Sequence, residues 1–365
     1  MSAGDDIRHM RHALRLAERS LGSVSPNPAV GCVIVAPDGH IVARGRTQNG
    51  GRPHAETVAL RAAGSRARGA TAYVTLEPCS HHGQTPPCAD ALVEAQLARV
   101  VVAAEDPDPR VDGRGIARLR DAGIRVDIGI LRDDAAELNR GFILRTTLAR
   151  PFVTLKIAQS LDGRSASASG QSKWITGEEA RTYGHLLRAR HDAILIGVET
   201  ALADDPELTC RIPGLEAHSP LRVVLDSRLR LNEWSKLAQT ARDVPTIIFT
   251  SKASGGPLEA CGVEIVQIAR DARGRPDVSA ALYELAQRGI TRLLVEGGAS
   301  VHASFLDRRL ADRLEVFTAP MVLGGGGRPA IDALAALGLD ETPRFKRVRA
   351  KTLGSDLLES FAATA

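Results

Sequence analysis

The sequence predicts an α/β protein of two domains, and three observations carry that prediction. At 365 residues the chain is too long for one ordinary domain and comfortable for two. Short β-rich runs alternate with helical apolar patterns, a pattern that implies helices packed around a largely parallel sheet. The alternation runs to a seam at Leu148-Ala149-Arg150-Pro151 and then restarts at Phe152. Domains are therefore expected over residues 1–150 and 151–365, each with its own core.

The elements follow in order. Ile7, Met10, Leu14, Ala17 and Leu21 recur at helical spacing behind Asp5 and Asp6, which reads as an amphipathic first helix and not as the apolar core of a signal peptide. Val30 to Val35 reads as a strand, Ala55 to Ala63 as a helix, and Thr71 to Leu76 as a strand running into Glu77-Pro78-Cys79. Cys88 opens a further helix, with Ala91, Leu92 and Ala95 on its apolar face. Val100 to Ala104 and Val126 to Ile130 are strands around a helix from Ile116 to Ala122. In the second half, strands are expected at Val153 to Ile157, Ala193 to Gly197, Arg222 to Leu225, Thr246 to Phe249, Leu293 to Val295 and Leu314 to Phe317.

Composition excludes several classes. Hydrophobic content of 44% and charged content of 25% suit a globular protein in water, and no apolar run approaches the ~20 residues of a bilayer span. The net charge of +4 comes from arginines scattered along the chain, with six lysines and few aromatics, so no basic stripe for nucleic acid is expected. Five scattered cysteines (Cys32, Cys79, Cys88, Cys210, Cys261) argue against a disulfide framework and for a reducing compartment, the cytoplasm.

The chemistry-bearing constellation is His54-Ala55-Glu56, Pro78-Cys79 and Cys88. One imidazole and two thiols suit tetrahedral zinc with its fourth position open, as in catalytic rather than structural sites. H-x-E with P-C and a further Cys is the signature of zinc-dependent base deaminases, in which the Glu moves protons and does not bind the metal. The alternative is a structural zinc completed by His81 or His82, which leaves Glu56 without a role. The two thiols are nine positions apart instead of the usual C-x-x-C.

That long segment, Leu76-Glu77-Pro78-Cys79-Ser80-His81-His82-Gly83-Gln84-Thr85-Pro86-Pro87-Cys88, resembles the deaminase domain of bifunctional riboflavin-biosynthesis proteins. So do Pro26-Asn27-Pro28-Ala29-Val30-Gly31-Cys32-Val33 and Asp106-Pro107-Asp108-Pro109-Arg110-Val111-Asp112-Gly113. The resemblance implies a cytidine-deaminase-like α/β/α domain in which His54, Cys79 and Cys88 hold zinc, Glu56 is the proton shuttle and Asn27 lies in the pyrimidine pocket. It continues through Leu138-Asn139-Arg140-Gly141-Phe142, similar to the family's interdomain segment, into Lys156-Ile157-Ala158-Gln159-Ser160-Leu161-Asp162-Gly163-Arg164. Ser172-Lys173-Trp174-Ile175-Thr176, Gly197-Val198-Glu199-Thr200, Ala203 to Arg211 and Val295-Glu296-Gly297-Gly298 are similar as well.

The second half is thereby identified as a dihydrofolate-reductase-like α/β domain that uses NADPH. Carried over by position, Ala158, Trp174, Thr200, Asp204, Ser227 and the run Gly298, Ala299, Ser300, Val301, His302, Ala303, Ser304 contact the cofactor. Ser172, Arg188, Leu208, Arg211 and Glu296 contact the substrate, and Lys156 is a further candidate near the sugar. A strand ending in Glu-Gly-Gly before a helix lets backbone amides approach a pyrophosphate, and arginine suits a phosphomonoester. Gly324-Gly325-Gly326-Gly327 reads as a flexible loop more readily than as a phosphate cradle.

The resemblance implies two successive steps of riboflavin synthesis on one small-molecule substrate, and a homodimer or higher homo-oligomer. Two departures stand out. Thr47 occupies a place where the family usually has a His near the substrate, and Thr57 one where a branched aliphatic is usual. A rival reading, a nucleic-acid-editing deaminase, calls for a C-x-x-C site and a basic aromatic surface, neither of which the sequence has. Another, a non-catalytic second domain, conflicts with Lys156, Asp204, Arg211 and Glu296 all being in place.

Overall fold

A computed structural model describes residues 2–81, 86–336 and 338–364. The chain divides into two compact units, Met1–Ala149 and Arg150–Ala365.

The first unit begins with α1 (Ala3–Glu18), capped by Ser2 in a reciprocal capping box with Asp5. Asp6, which reads in sequence as a helix-start charge, is buried instead: it takes both guanidinium arms of Arg99 at 2.8 Å and the Tyr73 hydroxyl at 2.6 Å. Then come β1 (Gly31–Val35), β2 (Ile41–Arg46), α2 (Ala55–Ala63), β3 (Thr71–Leu76), α3 (Cys88–Glu94), β4 (Arg99–Ala104), α4 (Arg114–Asp121), β5 (Arg125–Ile128), α5 (Arg132–Leu138) and α6 (Arg140–Leu148).

The five strands lie in the order β2-β1-β3-β4-β5. Only β3, β4 and β5 are parallel; β1 runs antiparallel to both of its neighbours, against the expectation of a largely parallel sheet. The turn between β1 and β2 is too short for a crossover, so the pair can close only as a hairpin. β1 and β3 are buried along their whole length, and α2 packs tightly on β2. A Cβ on Gly45 would stand 2.1 Å from the Ala55 carbonyl oxygen, so the absence of a side chain there lets α2, with His54 and Glu56 at its start, come down onto the sheet.

The second unit comprises β6 (Phe152–Ser160), β7 (Arg164–Ala166), α7 (Glu178–Ala189), β8 (Ala193–Gly197), α8 (Val198–Asp204), β9 (Leu221–Leu225), α9 (Lys236–Gln239), β10 (Thr246–Thr250), α10 (Pro257–Ala260) and β11 (Glu264–Gln267). It continues with α11 (Val278–Gln287), β12 (Arg292–Gly297), α12 (Ala299–Asp307), β13 (Arg313–Ala319), β14 (Arg328–Pro329), β15 (Phe345–Leu353) and β16 (Asp356–Ala363). Nine strands form one sheet in the order β11-β10-β9-β8-β12-β6-β13-β16-β15. It is parallel from β11 to β13 and ends in the antiparallel β15–β16 hairpin.

Alternate residues of the parallel strands feed two cores. Ile194, Ile196, Val224, Ile248 and Leu294 meet α7 to α10, while Leu195, Val223, Ile247, Phe249 and Leu293 meet α11 and α12. Burial on both faces gives these strands continuous apolar runs, which made them legible. β15, exposed along most of its length and rich in Lys and Arg, carried no such signal.

Candidate active sites

In the first unit, the carboxyl end of β3 and the starts of α2 and α3 meet. His54 is the N-cap of α2, Cys79 follows β3, and Cys88 is the first residue of α3. His54 Nδ1 lies 3.6 Å from Cys79 Sγ and 3.3 Å from Cys88 Sγ, and the three ligand atoms all fall within 4.8 Å of one another. Ligands at about 2.3 Å (S) and 2.1 Å (N) from a tetrahedral zinc stand about 3.6 Å apart, so the set fits that ion.

Its electrostatics agree. The Cys88 thiol and then His54 bring Cys79 down to about 4, while the Cys79 sulfur and burial push Cys88 well above the usual thiol range. Glu56, 3% exposed on the first turn of α2, is pushed up to about 7 by burial, with the Cys79 sulfur adding to the rise and His54 opposing it. Two sulfurs beside a buried carboxyl concentrate negative charge that a divalent cation neutralises. Among the described residues, His81 does not join the cluster; His82, with Gly83 to Thr85, lies outside them.

His54, Glu56 and Cys79 line a cavity of about 450 Å³ together with Asn27, Thr47, Asp106, Asp108 and Arg110. Asn27 packs on Gly51, whose Cβ would stand 2.0 Å from the Asn27 amide nitrogen.

In the second unit, the carboxyl ends of β8 and β12 come together with the starts of α8 and α12, the usual place for a ligand crevice in a parallel sheet. Gly298 is the N-cap of α12 and has no side chain to bond the first-turn amides. A Cβ there would stand 3.1 Å from Thr200 Oγ1, on the first turn of α8. The Gly298–Ser304 run and Thr200 are thus one locus, compatible with the close approach of a pyrophosphate. His302 differs from its neighbours in that run: it is 4% exposed and its Nδ1 lies 3.1 Å from the Ala330 carbonyl oxygen, so it belongs to the core. Trp174 is exposed and stacks beneath the Arg181 guanidinium, and the Asp204 carbonyl accepts from Lys173 Nζ at 3.2 Å. Ala158 is half-buried on β6, and Ser227 is half-buried just after β9.

Glu296, at the end of β12, holds Arg188 of α7 in a two-pronged pair at 2.7 and 2.8 Å, and the third arm of Arg188 donates to the Thr209 carbonyl oxygen. Burial raises Glu296, but the Arg188 and Lys156 charges outweigh it and hold the carboxyl at about 2. Lys156 lies 5.7 Å from the Phe317 ring centre; burial lowers its pKa, with Glu296 opposing. Arg188 thus has its fork on Glu296, whereas Arg211 is half exposed and pairs with Glu207 at 3.2 Å. Leu208 is buried in the left-handed region (φ 55°), and Ser172 is half-buried ahead of Trp174.

Residues 3–104 match the cytidine and deoxycytidylate deaminase zinc-binding region, and residues 151–358 match the RibD C-terminal domain. Riboflavin biosynthesis protein RibD of Aquifex aeolicus is 41% identical over 98% of both chains, and that of Escherichia coli is 40% identical over 96% of this chain and 98% of its own. The chain belongs to the RibD family. Solved relatives agree: Acinetobacter baumannii RibD superposes with a TM-score of 0.90 at 40% identity over the full length of both chains. A diaminohydroxyphosphoribosylaminopyrimidine deaminase/5-amino-6-(5-phosphoribosylamino)uracil reductase from Thermotoga maritima gives 0.88 at 35% identity over 99% of both. Like other RibD proteins, the chain joins a zinc-type deaminase domain to a reductase domain of the NADPH-using kind, in riboflavin biosynthesis. Among the described residues no helix is long and apolar enough to cross a membrane.

Within the RibD framework the two departures acquire physical reasons. Thr47 is 1% exposed; its hydroxyl accepts from Val30 N at 3.0 Å and donates to the Pro28 carbonyl oxygen at 3.1 Å. It therefore shapes the loop carrying Asn27. Thr47→Val, equal in shape, is expected to lower the unfolding free energy of this unit by about 1–3 kcal/mol by stranding both groups, which urea denaturation would read. At Cys88 the Cys79 sulfur and burial favour the thiol, and the Thr57 hydroxyl works against them toward the thiolate, which a branched aliphatic there could not do.

Sequence reasoning used Asp106, Asp108 and Arg110 for the resemblance but not as cavity residues. Their signal was a charged Pro-rich run directly after a parallel strand, where ligands gather. Phe142, read as interdomain, lines the same cavity, and nearby Asn139 grips Ala29 through both its amide atoms at 2.9 and 3.0 Å. Gly324 to Gly327 forms a tethered turn: Asp162 accepts from Leu323 N at 3.1 Å and Gly324 N at 2.7 Å.

Proposed function

We propose that the first unit hydrolyses the 2-amino group of 2,5-diamino-6-(5-phosphoribosylamino)pyrimidin-4-one, releasing ammonia. The second unit then reduces the ribosyl chain with NADPH to give 5-amino-6-(5-phosphoribitylamino)uracil. The observation that carries this reading is the His54, Cys79 and Cys88 cluster, with His54, Cys79 and the buried carboxyl of Glu56 lining one cavity.

His54 Nδ1 and the two sulfurs hold zinc. When bound there, zinc supplies a Lewis acid that makes water a nucleophile near neutral pH. Glu56, whose carboxyl burial raises above the usual carboxylate range, takes a proton from the attacking water and passes it to the ring nitrogen, then carries the second water proton to the departing amine. Asn27, seated on Gly51, orients the pyrimidine.

In the second unit Ala158, Trp174, Thr200, Asp204, Ser227 and the Gly298–Ser304 run apart from the buried His302 bind NADPH, which supplies hydride. Ser172, Arg188, Leu208, Arg211 and Glu296 bind the substrate. Arg211, whose pairing with Glu207 is solvent-exposed, takes the phosphate; Arg188 orients Glu296, and Lys156 stabilises charge developing at the sugar. The enzyme works in the cytoplasm on this small molecule, without nucleic acid, as a homodimer or higher homo-oligomer.

The purified chain should release ammonia from the diaminopyrimidine and consume NADPH only afterwards. Stripping zinc with a chelator should abolish ammonia release and spare reduction of the deaminated pyrimidine. NADPH consumption before any ammonia appears would overturn the assigned order.

A further inference from the structure

Glu77 stands between the two halves of the deaminase site and belongs to neither the ligand set nor the proton path. It follows β3 directly, two residues before Cys79, and its side chain is buried at 3% exposure. Its carboxylate accepts four main-chain N–H groups: Asp106 at 3.3 Å, Gly113 at 3.1 Å, Gly115 at 2.9 Å and Ile116 at 3.1 Å. All four lie on the segment that runs from the end of β4 into α4.

The local sequence explains why a distant carboxylate is needed. Gly113 is the N-cap of α4, with φ 79°, and has no side-chain oxygen for the first-turn amides. Glu77 supplies that oxygen from another strand, and its charge suits the positive end of the helix. The fit is close: a Cβ on Gly115 would stand 2.0 Å from the Pro78 carbonyl oxygen, so α4 begins directly against the residue preceding Cys79.

The fastened segment is the far wall of the cavity, contributing Asp106, Asp108, Arg110 and Val111. Inside that segment the bonds are short-range: Asp106 accepts from Asp108 N and Asp108 from Arg110 N, both at 2.9 Å. Those turns shape the loop but do not place it relative to the metal ligands. Glu77 does, because its backbone is joined to Cys79 through Pro78 while its carboxylate grips the loop; the Ser80 hydroxyl adds one longer bond, 3.5 Å, to the Arg110 carbonyl oxygen.

We infer that Glu77 is a positioning residue for deamination, setting the distance between the sulfur ligands and the substrate-facing Asp106–Val111 wall. The inference rests on the deaminase reading above. Its consequence falls on substrate binding: the loop moves while His54, Cys79, Cys88 and Glu56 keep their places.

The test is Glu77→Gln in the full-length zinc-loaded enzyme, which keeps the size but turns one acceptor into a donor facing N–H groups. Lost uniform binding raises KM without lowering kcat, so the KM for deamination is expected to rise about tenfold or more with kcat within about threefold. Zinc stoichiometry and NADPH-dependent reduction stay unchanged. Amide exchange at Gly115 and Ile116 accelerates selectively. Glu77→Asp, charged but one methylene shorter, should recover part of the KM. An unchanged KM, loss of zinc together with general loss of protection, or amides at 115 and 116 that stay protected would each overturn the inference. If the wild-type enzyme releases no ammonia, the deaminase reading fails, and the exchange measurement still decides whether Glu77 holds the loop.

Discussion

Glu56→Gln is expected to leave zinc fully bound while slowing deamination roughly 10²–10⁴-fold, the usual contribution of a positioned acid/base. The reasoning is geometric. Glu56 lies on the first turn of α2, two residues past His54, but is not among the three residues whose ligand-type atoms cluster. Its carboxyl is 3% exposed, and burial raises its pKa, which favours holding and then returning an accepted proton. Gln has the same shape and cannot accept a proton from water. Cys88→Ala provides the contrast, since it should lose zinc and deamination together. Zinc stoichiometry, ammonia release and NADPH-dependent reduction of the deaminated pyrimidine, measured on the same samples, separate the two outcomes. A Glu56→Gln enzyme that deaminates at near-normal rate would sink the proton-shuttle assignment.

The second large effect belongs to Glu296. Glu296→Gln leaves the Arg188 guanidinium, 15% exposed, without its counter-charge, and breaking a buried pair from one side costs about 3–5 kcal/mol. Linkage gives a similar size. A carboxyl at about 2 in the folded unit and about 4.5 in the unfolded chain contributes roughly 3 kcal/mol. The sign follows from proton counts: between pH 4.5 and 2 the unfolded state binds the extra proton. The contribution is complete above pH 4.5 and is lost as pH falls toward 2. Wild type should therefore lose more stability over that window than Glu296→Gln does. Cys210, buried at 2% exposure in this unit, offers the readout, because thiol labelling in urea reports when the unit opens. Reduction should fall at least about 100-fold, as expected for a polar group aimed at substrate, with deamination unchanged. Equal labelling midpoints for the two proteins would show that the pair carries no net stability.

Legibility varied with the physical source of each signal. The helix Ala55–Ala63 and the strand Thr71–Leu76 have the boundaries that periodicity and β-branched residues predict, because each is buried along a regular face. The antiparallel β1–β2 hairpin was missed since β2 is only partly buried and mixes Arg and Gly with its apolar residues. The β15–β16 hairpin was missed for a similar reason, its outer strand being polar and exposed. At the candidate deaminase site His54, Cys79, Cys88 and Glu56 stand out in sequence because zinc chemistry constrains residue type and spacing together, and the fold brings the first three within 4.8 Å of one another. Thr47 stands where the family usually has a His near the substrate, and the tertiary structure gives its hydroxyl to the backbone of the Asn27 loop.

By itself the sequence pointed to two α/β units, a His/Cys set suited to zinc with an adjacent acid, and a reductase half, since each depends on residue types in recognisable local patterns. Only the tertiary structure decided which distant groups bond to one another. Glu77 meets Gly115 and Ile116 across 38 and 39 residues, Asn139 meets Ala29 across 110, and Arg188 meets Glu296 across 108. The reason is physical: such pairs are set by how strands order in a sheet and how helices dock on it, and a carboxylate or amide looks the same in sequence whatever it will meet.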